Sequence, residues 1–323
     1  MIKKNLTRVL QARKRIEKIG IGRYLDRFFK ILNVKISTRM FLLKYLQIIL
    51  QPKIHFKSKK IKKYNLANEK SFISKTDRFF EFDVNQLAGI ETIIQHCKKV
   101  FNKKKNEIDK SYKPPVSVLI GKIDENKITS QQVEEIKPIL KFAAQPLLMH
   151  LISNYIGKIP MIISANLLFT KALKKGHVNM NFQNYHSDLL DTSLLHLVIP
   201  IKNITKNNGP FTFLDSNISK KIVSLVDYRG GRISDETINK YVKKSNIKEL
   251  IGPSGKAWLM SPYYCLHMGA RVKKGSRLML IISYASPNMC VEHVSNFGKK
   301  DRKEALLDIN STVSEKALLR VYN

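Results

Sequence analysis

The chain has 323 residues, enough to bury a substantial core as one large domain or as one domain with an extension. Lys and Arg number 58 against 25 Asp and Glu, a formal charge of +33, so the basic surface is either simply solvated or turned toward an anionic partner. Three widely spaced cysteines offer no disulfide framework, and no apolar run reaches the roughly 20 residues of a membrane-spanning helix.

Residues 1–64 form a strongly basic leader whose only acidic residues are Glu17 and Asp26. Ile16, Ile19, Tyr24, Phe28, Ile31 and Leu32 recur at helical spacing. Such a helix either packs on the main domain or lies on an anionic membrane surface. The first residues, Met1 to Arg8, lack the apolar stretch of a signal peptide, and the longest apolar run, Met40 to Leu50, is interrupted by Lys44. The expectation is a cytoplasmic protein without a transmembrane segment. Nucleic acid is a weaker expectation than membrane, because the aromatics among the leader's basic residues form no recognised binding motif.

Residues 65–323 read as a single domain. A helix is expected over 85–105, with Val84, Leu87, Ile90, Ile93, Ile94, Cys97 and Val100 on one face. A second helical stretch runs from Ser130 to about Tyr155, and Pro138 and Pro146 should kink or split it. From Met161 the pattern changes to short apolar runs between Gly, Asn and Lys turns. Strands are expected at 161–170, 178–186, 192–201, 211–214, 256–260, 264–268 and 277–284, with a polar helical insertion over 216–250. Many short strands after helices predict an α+β chain with a mainly β core. The expected architecture is a cupin-like jelly roll, or double-stranded β-helix, with helices outside it.

The chemistry concentrates in that strand-rich part. His186 and Asp188 stand at i and i+2, which on a strand places both side chains on one face. His267, on a later strand, completes a possible triangle of two imidazoles and one carboxylate. That set suits non-haem Fe(II) and leaves coordination positions open. Arg277 follows, and a guanidinium there can grip a carboxylate with two parallel hydrogen bonds. His196 lies inside an apolar run and is either core or pocket lining. Arg271 is the rival arginine, placed in the turn Arg271-Val-Lys-Lys-Gly275. Asn166 sits on a strand that can face the pocket.

These landmarks come in a fixed order: His186-Ser-Asp188, the apolar run to Ile201, Asn208-Gly-Pro-Phe211, His267-Met-Gly269 and the strand from Ser276-Arg277. Over roughly residues 160–287 the chain resembles the phytanoyl-CoA dioxygenase-like family of Fe(II)/2-oxoglutarate-dependent oxygenases. The resemblance implies Fe(II) held by His186, Asp188 and His267, with 2-oxoglutarate and O2 as co-substrates. It implies that Arg277 anchors the 2-oxoglutarate, with Asn166 and Gln183 as further pocket residues. It implies hydroxylation of an unactivated C–H bond in a small-molecule or lipid-like substrate. Related halogenases lack the carboxylate, so Asp188 argues for hydroxylation. Gly269 departs from relatives that carry a hydroxyl at that position. Two other functions remain open: a non-catalytic jelly roll that binds a small ligand, and a basic membrane- or nucleic-acid-associated factor built on this scaffold.

Overall fold

The computed structural model describes residues 21–60, 73–111, 117–120, 129–172, 176, 178–290, 306, 307, 312, 316 and 319. Three helices come first: α1 (Ile21–Ile31), α2 (Ile36–Leu50) and α3 (Pro52–Lys60). The expected apolar stripe of α1 faces outward, with Phe28 47 % and Ile31 82 % exposed. Ile16 and Ile19 lie outside the described residues. Charge fastens α1 to α2, because buried Asp26 faces Arg39 Nε of α2 at 2.8 Å, with Lys30 of its own helix at 2.7 Å. Removing Asp26 strands the buried Arg39 charge. α2 buries Met40 and Leu43 against Cys290, with Leu190 and Tyr263 alongside. Asn288 Nδ2 also donates to the carbonyl of Gln51, just past the end of α2.

β1 (Phe79–Phe82), α4 (Ile90–Ser111), β2 (Ser117–Ile120), α5 (Ser130–Ala143) and α6 (Pro146–Ile156) follow. α4 begins at Ile90 rather than at residue 85, because Asn85 and Gly89 both take positive φ and turn the chain. Val84, expected on its inner face, is 45 % exposed. Beyond the turn, Ile90, Ile93, Ile94, Cys97 and Val100 are buried at the expected spacing. The second helical stretch divides at Pro146, which becomes the first residue of α6, where its missing N–H leaves no helical hydrogen bond unmade. Pro138 is retained inside α5, whose start is fixed by a reciprocal Thr129–Gln132 capping box.

The β-rich part comprises β3 (Met161–Lys171), β4 (Leu195–Pro200), β5 (Phe211–Leu214), β6 (Ile247–Leu250), β7 (Ala257–Met260), β8 (His267–Met268) and β9 (Ser276–Ala285). Helices α7 (Ser216–Leu225) and α8 (Asp235–Tyr241) are inserted between β5 and β6. A six-stranded sheet has the order β1-β7-β4-β9-β3-β2, and a three-stranded sheet has the order β6-β5-β8. Every strand pairing among the described residues is antiparallel. Period-2 alternation gives the large sheet two different faces. Its outer face presents Leu167, Leu197, Leu280 and Ile282 to the apolar faces of α4, α5 and α6. From its inner face Val198, Trp258, Met260 and Met279 pack with Phe211, Phe213 and Leu250 of the small sheet. Two sheets thus meet face to face, with helices covering the back of the larger one.

Residues 178–186 do not form the expected strand. A single 3-10 turn occupies Asn181–Gln183, with Asn181 at φ 48°. The Gln183 carboxamide holds this turn, accepting from Met180 N at 3.0 Å and donating to Ala270 O at 3.0 Å. Only Tyr185 and His186 then bridge to neighbours. β1, β2 and β6 had no counterpart in the sequence reading. Each sits at a sheet edge and is partly exposed, unlike the equally short but fully buried β5 and β7. β6 also corrects the expectation that 216–250 is helical throughout.

Candidate metal centre

The site starts from one backbone pairing. His186 N donates to His267 O at 3.0 Å, and His267 N donates to His186 O at 2.9 Å. Directly opposed residues of an antiparallel pair project to the same side, and the two rings lie with centroids 4.3 Å apart. Asp188, two residues on, is fixed by its own N–H to the carbonyl of Pro262 at 2.9 Å. One ligand atom each from His186, Asp188 and His267 lies within 4.8 Å of the others.

The orientation of the two rings fits a cation. His186 Nδ1 lies 2.9 Å from the carbonyl of Asn184, and His267 Nδ1 lies 3.0 Å from that of Cys265. A carbonyl only accepts, so both Nδ1 atoms carry the proton, and in the neutral rings the Nε2 lone pairs remain. Phe211 stacks on the His267 ring at 5.2 Å and fixes its plane. Burial lowers His186 from the ordinary imidazole value and pushes His267 down to about 3. Burial opposes ionisation of Asp188, but the hydrogen bond from His196 and the neighbouring imidazoles outweigh it and hold the carboxyl well below its usual range. At neutral pH the trio is therefore two neutral imidazoles and one carboxylate. His186 Nε2 then faces Asp188 Oδ1 at 3.6 Å with no proton between two acceptors, and a cation resolves that repulsion. Hard–borderline divalent ions such as Fe(II) accept this N2O donor set.

His196 is the residue that sequence reasoning left undecided. It stands on the inner face of the large sheet, opposite Ser283 of β9, and its Nε2 reaches Asp188 Oδ2 at 3.0 Å. Its Nδ1 is buried without a hydrogen bond, which matches an Nε2–H tautomer donating to the carboxylate. With Oδ2 held, Oδ1 is the oxygen turned toward His186. A hydrophilic residue in an otherwise apolar strand was the only signal available beforehand.

Arg277 is buried on β9, on the same inner face as His196, because it is separated from Ser283 by an even number of residues. Its Nη1 donates to Gly209 O at 2.9 Å. Gly209 has φ +70°, and a Cβ there would lie 2.7 Å from Val272 N and 2.8 Å from Arg271 C. Only glycine lets the Asn208-Gly-Pro210 turn come this close to the 271–272 backbone and present its carbonyl to Arg277. A Cβ on Gly269 would sit 3.3 Å from Arg277 Nη1, so the absence of a side chain there leaves space beside the guanidinium. Arg271 turns elsewhere: it binds both carboxylate oxygens of Asp235, at 2.6 and 3.0 Å, and the carbonyl of Gln183 at 2.6 Å. Asn166 of β3 pairs with Ile281 and shares the inner face, at a level between Arg277 and His196. Gln183 is fully buried, and its carboxamide bonds the backbone as described above.

No family model matches the sequence, and no curated protein matches it significantly. Among solved structures, EctD from S. alaskensis with 2-oxoglutarate and 5-hydroxyectoine is 14 % identical, with 70 % of this chain and 75 % of that one covered at TM-score 0.43. The non-haem α-ketoglutarate-dependent carbocyclase SnoK from nogalamycin biosynthesis is 9 % identical, covering 70 % and 85 % at TM-score 0.40. At this distance the likeness transfers neither fold nor function, and the residues themselves must carry the reading.

Two outcomes follow. His196→Ala should weaken Co(II) or Fe(II) binding by about 10- to 100-fold, the usual loss for an outer-shell partner, and His196→Gln, which keeps a donor, should recover part of it. Unchanged affinity in both variants would show that Asp188 needs no such support. The second outcome concerns acid. His267 has a folded-state pKa below its unfolded value, so its neutral burial stabilises above about pH 6.5 and that stability is lost as pH falls toward about 3. Thermal melting of metal-stripped protein should therefore drop through this window, and His267→Gln should flatten the drop. Superimposable pH profiles would contradict a buried neutral ring.

Proposed function

We propose that this chain is a non-haem Fe(II)- and 2-oxoglutarate-dependent oxygenase that hydroxylates a small-molecule or lipid-like substrate, built as a double-stranded β-helix of the phytanoyl-CoA dioxygenase-like kind. The observation that carries the reading is the convergence of His186, Asp188 and His267 with both Nε2 lone pairs exposed to the gap between them. His186, Asp188 and His267 would hold the metal. Bound iron, with O2 and 2-oxoglutarate, supplies the oxidising power for an unactivated C–H bond. The chain's residues orient and select. Arg277, charged at any working pH, would take the distal carboxylate of 2-oxoglutarate, and Asn166 on the same face would support it. Gln183 would act by bracing the loop that carries Gly269 and Arg271. The alternative of a non-catalytic ligand-binding jelly roll gives no reason for two buried imidazoles converging on Asp188 with a supporting His196.

In this proposal residues 65–323 form the catalytic unit, with its metal core at about 160–287, and residues 1–64 are accessory. Ten of the large apolar residues exposed among the described residues fall between Tyr24 and Phe56, including Phe28, Ile31, Phe41, Tyr45 and Ile49. Asp26 is the only acidic residue in that stretch, and it is buried. Exposed apolar side chains rimmed by Lys and Arg suit peripheral contact with an anionic membrane. No helix among the described residues is long and apolar enough to cross a membrane. Three buried free cysteines accord with a cytoplasmic setting.

Succinate release from 2-oxoglutarate, under Fe(II) and O2 across a metabolite panel, tests the activity. Arg277→Ala should cost roughly 2–5 kcal/mol of 2-oxoglutarate binding, as for a buried charge pair that loses one partner, whereas Arg271→Ala should cost much less. The reverse ranking would move the anchor to Arg271, and full turnover by Asp188→Ala would remove the metal assignment. For the leader, full-length protein should bind anionic vesicles, and the charge-driven part should fade as salt shortens the Debye length from about 10 Å at 0.1 M to about 3 Å at 1 M. No binding even at low salt would remove the membrane reading.

A further inference from the structure

A cavity lies behind the metal-bearing segment. Its volume is about 640 Å³, and its basic lining comes from Lys35, Lys75, Arg78, Lys220 and Arg229. Ser187 also lines it, whereas His186 and Asp188 do not. Side chains alternate along extended backbone, so the cavity occupies the side of the 186–188 segment opposite the metal centre.

The charge here is poorly balanced. Asp227 is the single carboxylate of the lining, and it is already paired with Arg229 at 2.8 Å. Arg78 is held without a carboxylate: Nη1 donates to Tyr155 Oη at 3.0 Å, and its guanidinium lies 4.1 Å from the Tyr264 ring centre. Among the described residues, Lys35, Lys75 and Lys220 have no ion-pair partner. The first turn of α2 lines the same space, and no side chain caps its first N–H groups at the N-cap Lys35. That turn's N–H groups and the positive end of the helix dipole add to the field. Several like charges facing one cavity repel each other unless an anion sits among them.

We propose that this cavity binds a phosphate-class anion, either a free phosphate compound or the head group of a phospholipid. Phosphate matches the arrangement because Lys ammonium groups and backbone N–H groups bind it as a point charge, and Arg adds directed hydrogen bonds. The wall toward the metal centre is tied to the cavity by Tyr228. Its hydroxyl accepts from Ser187 N at 3.2 Å and donates to Gly231 O at 3.0 Å. Ser187, which lines the cavity on that wall, stands one residue from both His186 and Asp188. α2 runs from the rim of the cavity to the exposed apolar residues Phe41, Tyr45 and Ile49, so a phospholipid head group in the cavity would leave its chains near an apolar surface.

The test uses the full chain, stripped of metal and without 2-oxoglutarate, so that its outcome is separate from the oxygenase reading. One arm measures binding of inorganic phosphate and glycerol phosphate by calorimetry. The other measures co-sedimentation with vesicles of phosphatidylcholine containing phosphatidic acid. The paired variant Lys75→Glu/Lys220→Glu alters two exposed side chains of the lining. Lys240→Glu/Lys243→Glu makes the same change in net charge away from it. Binding in either arm should weaken by roughly tenfold or more in the first variant, as when charge-assisted contacts are lost, and hold in the second. Binding of the soluble compounds identifies a free phosphate, and binding of vesicles alone identifies the lipid head group. Equal loss in both variants, or no binding in either arm, overturns the proposal.

Discussion

The mutual hydrogen-bond pair between His186 and His267 is the constraint on which the site depends. It is a backbone interaction, yet it decides the chemistry, because it sets two imidazoles side by side on the face that looks into the space between the sheets. Its position explains why the segment before His186 need not be a strand. A single bridge suffices to register His186 against β8, and the Asp188 N–H to Pro262 holds the next step. The preceding turn at Asn181–Gln183 then remains available for another task, tying this segment to the 269–271 loop through Gln183. Each of these bonds satisfies a buried backbone group, so the ligands are positioned by bonds that the buried backbone has to make in any case.

The small sheet and its flanking segment bring the three metal-capable groups, while the large sheet brings His196 to Asp188. Neither sheet holds all four residues. They meet where the inner faces pack, in a layer whose apolar part is Val198, Trp258, Met260 and Met279 against Phe211 and Phe213. Phe211 belongs to both roles, packing in that layer and stacking on the His267 ring. Sheet packing and site geometry are consequently one problem.

The sequence made one class of feature legible and hid another. His186, Asp188 and His267 were readable because a period-2 spacing and a run of ordered landmarks converge on them. The long strands β3, β4 and β9 announced themselves as β-branched and apolar runs. Edge strands β1, β2 and β6 did not: the equally short β5 and β7 are buried along their whole length, whereas these three are partly exposed. The start of α4 was misplaced by the positive φ of Asn85 and Gly89, a backbone property that apolar periodicity does not contain. His196 was visible only as an anomaly, since its partner lies across the gap between two sheets. The Arg271–Asp235 pair spans 36 residues and was likewise beyond local reading.

The same reasoning separates the two arginines that the sequence left in competition. Arg271 already has a bidentate carboxylate and a backbone carbonyl, so recruiting it to a ligand means breaking charge-assisted bonds. Arg277 is buried, lies on the inner face and has the missing side chain of Gly269 beside its guanidinium. A hydroxyl side chain at position 269 would reach into that space, and glycine keeps it clear. The departure from the hydroxyl-bearing pattern thus exchanges one possible hydrogen bond for room next to the cation. In the proposed oxygenase the co-substrate's grip would then rest more on charge and less on a network of neutral donors. In that proposal a lysine at 277 would keep the charge but lose the planar, two-point geometry of the guanidinium.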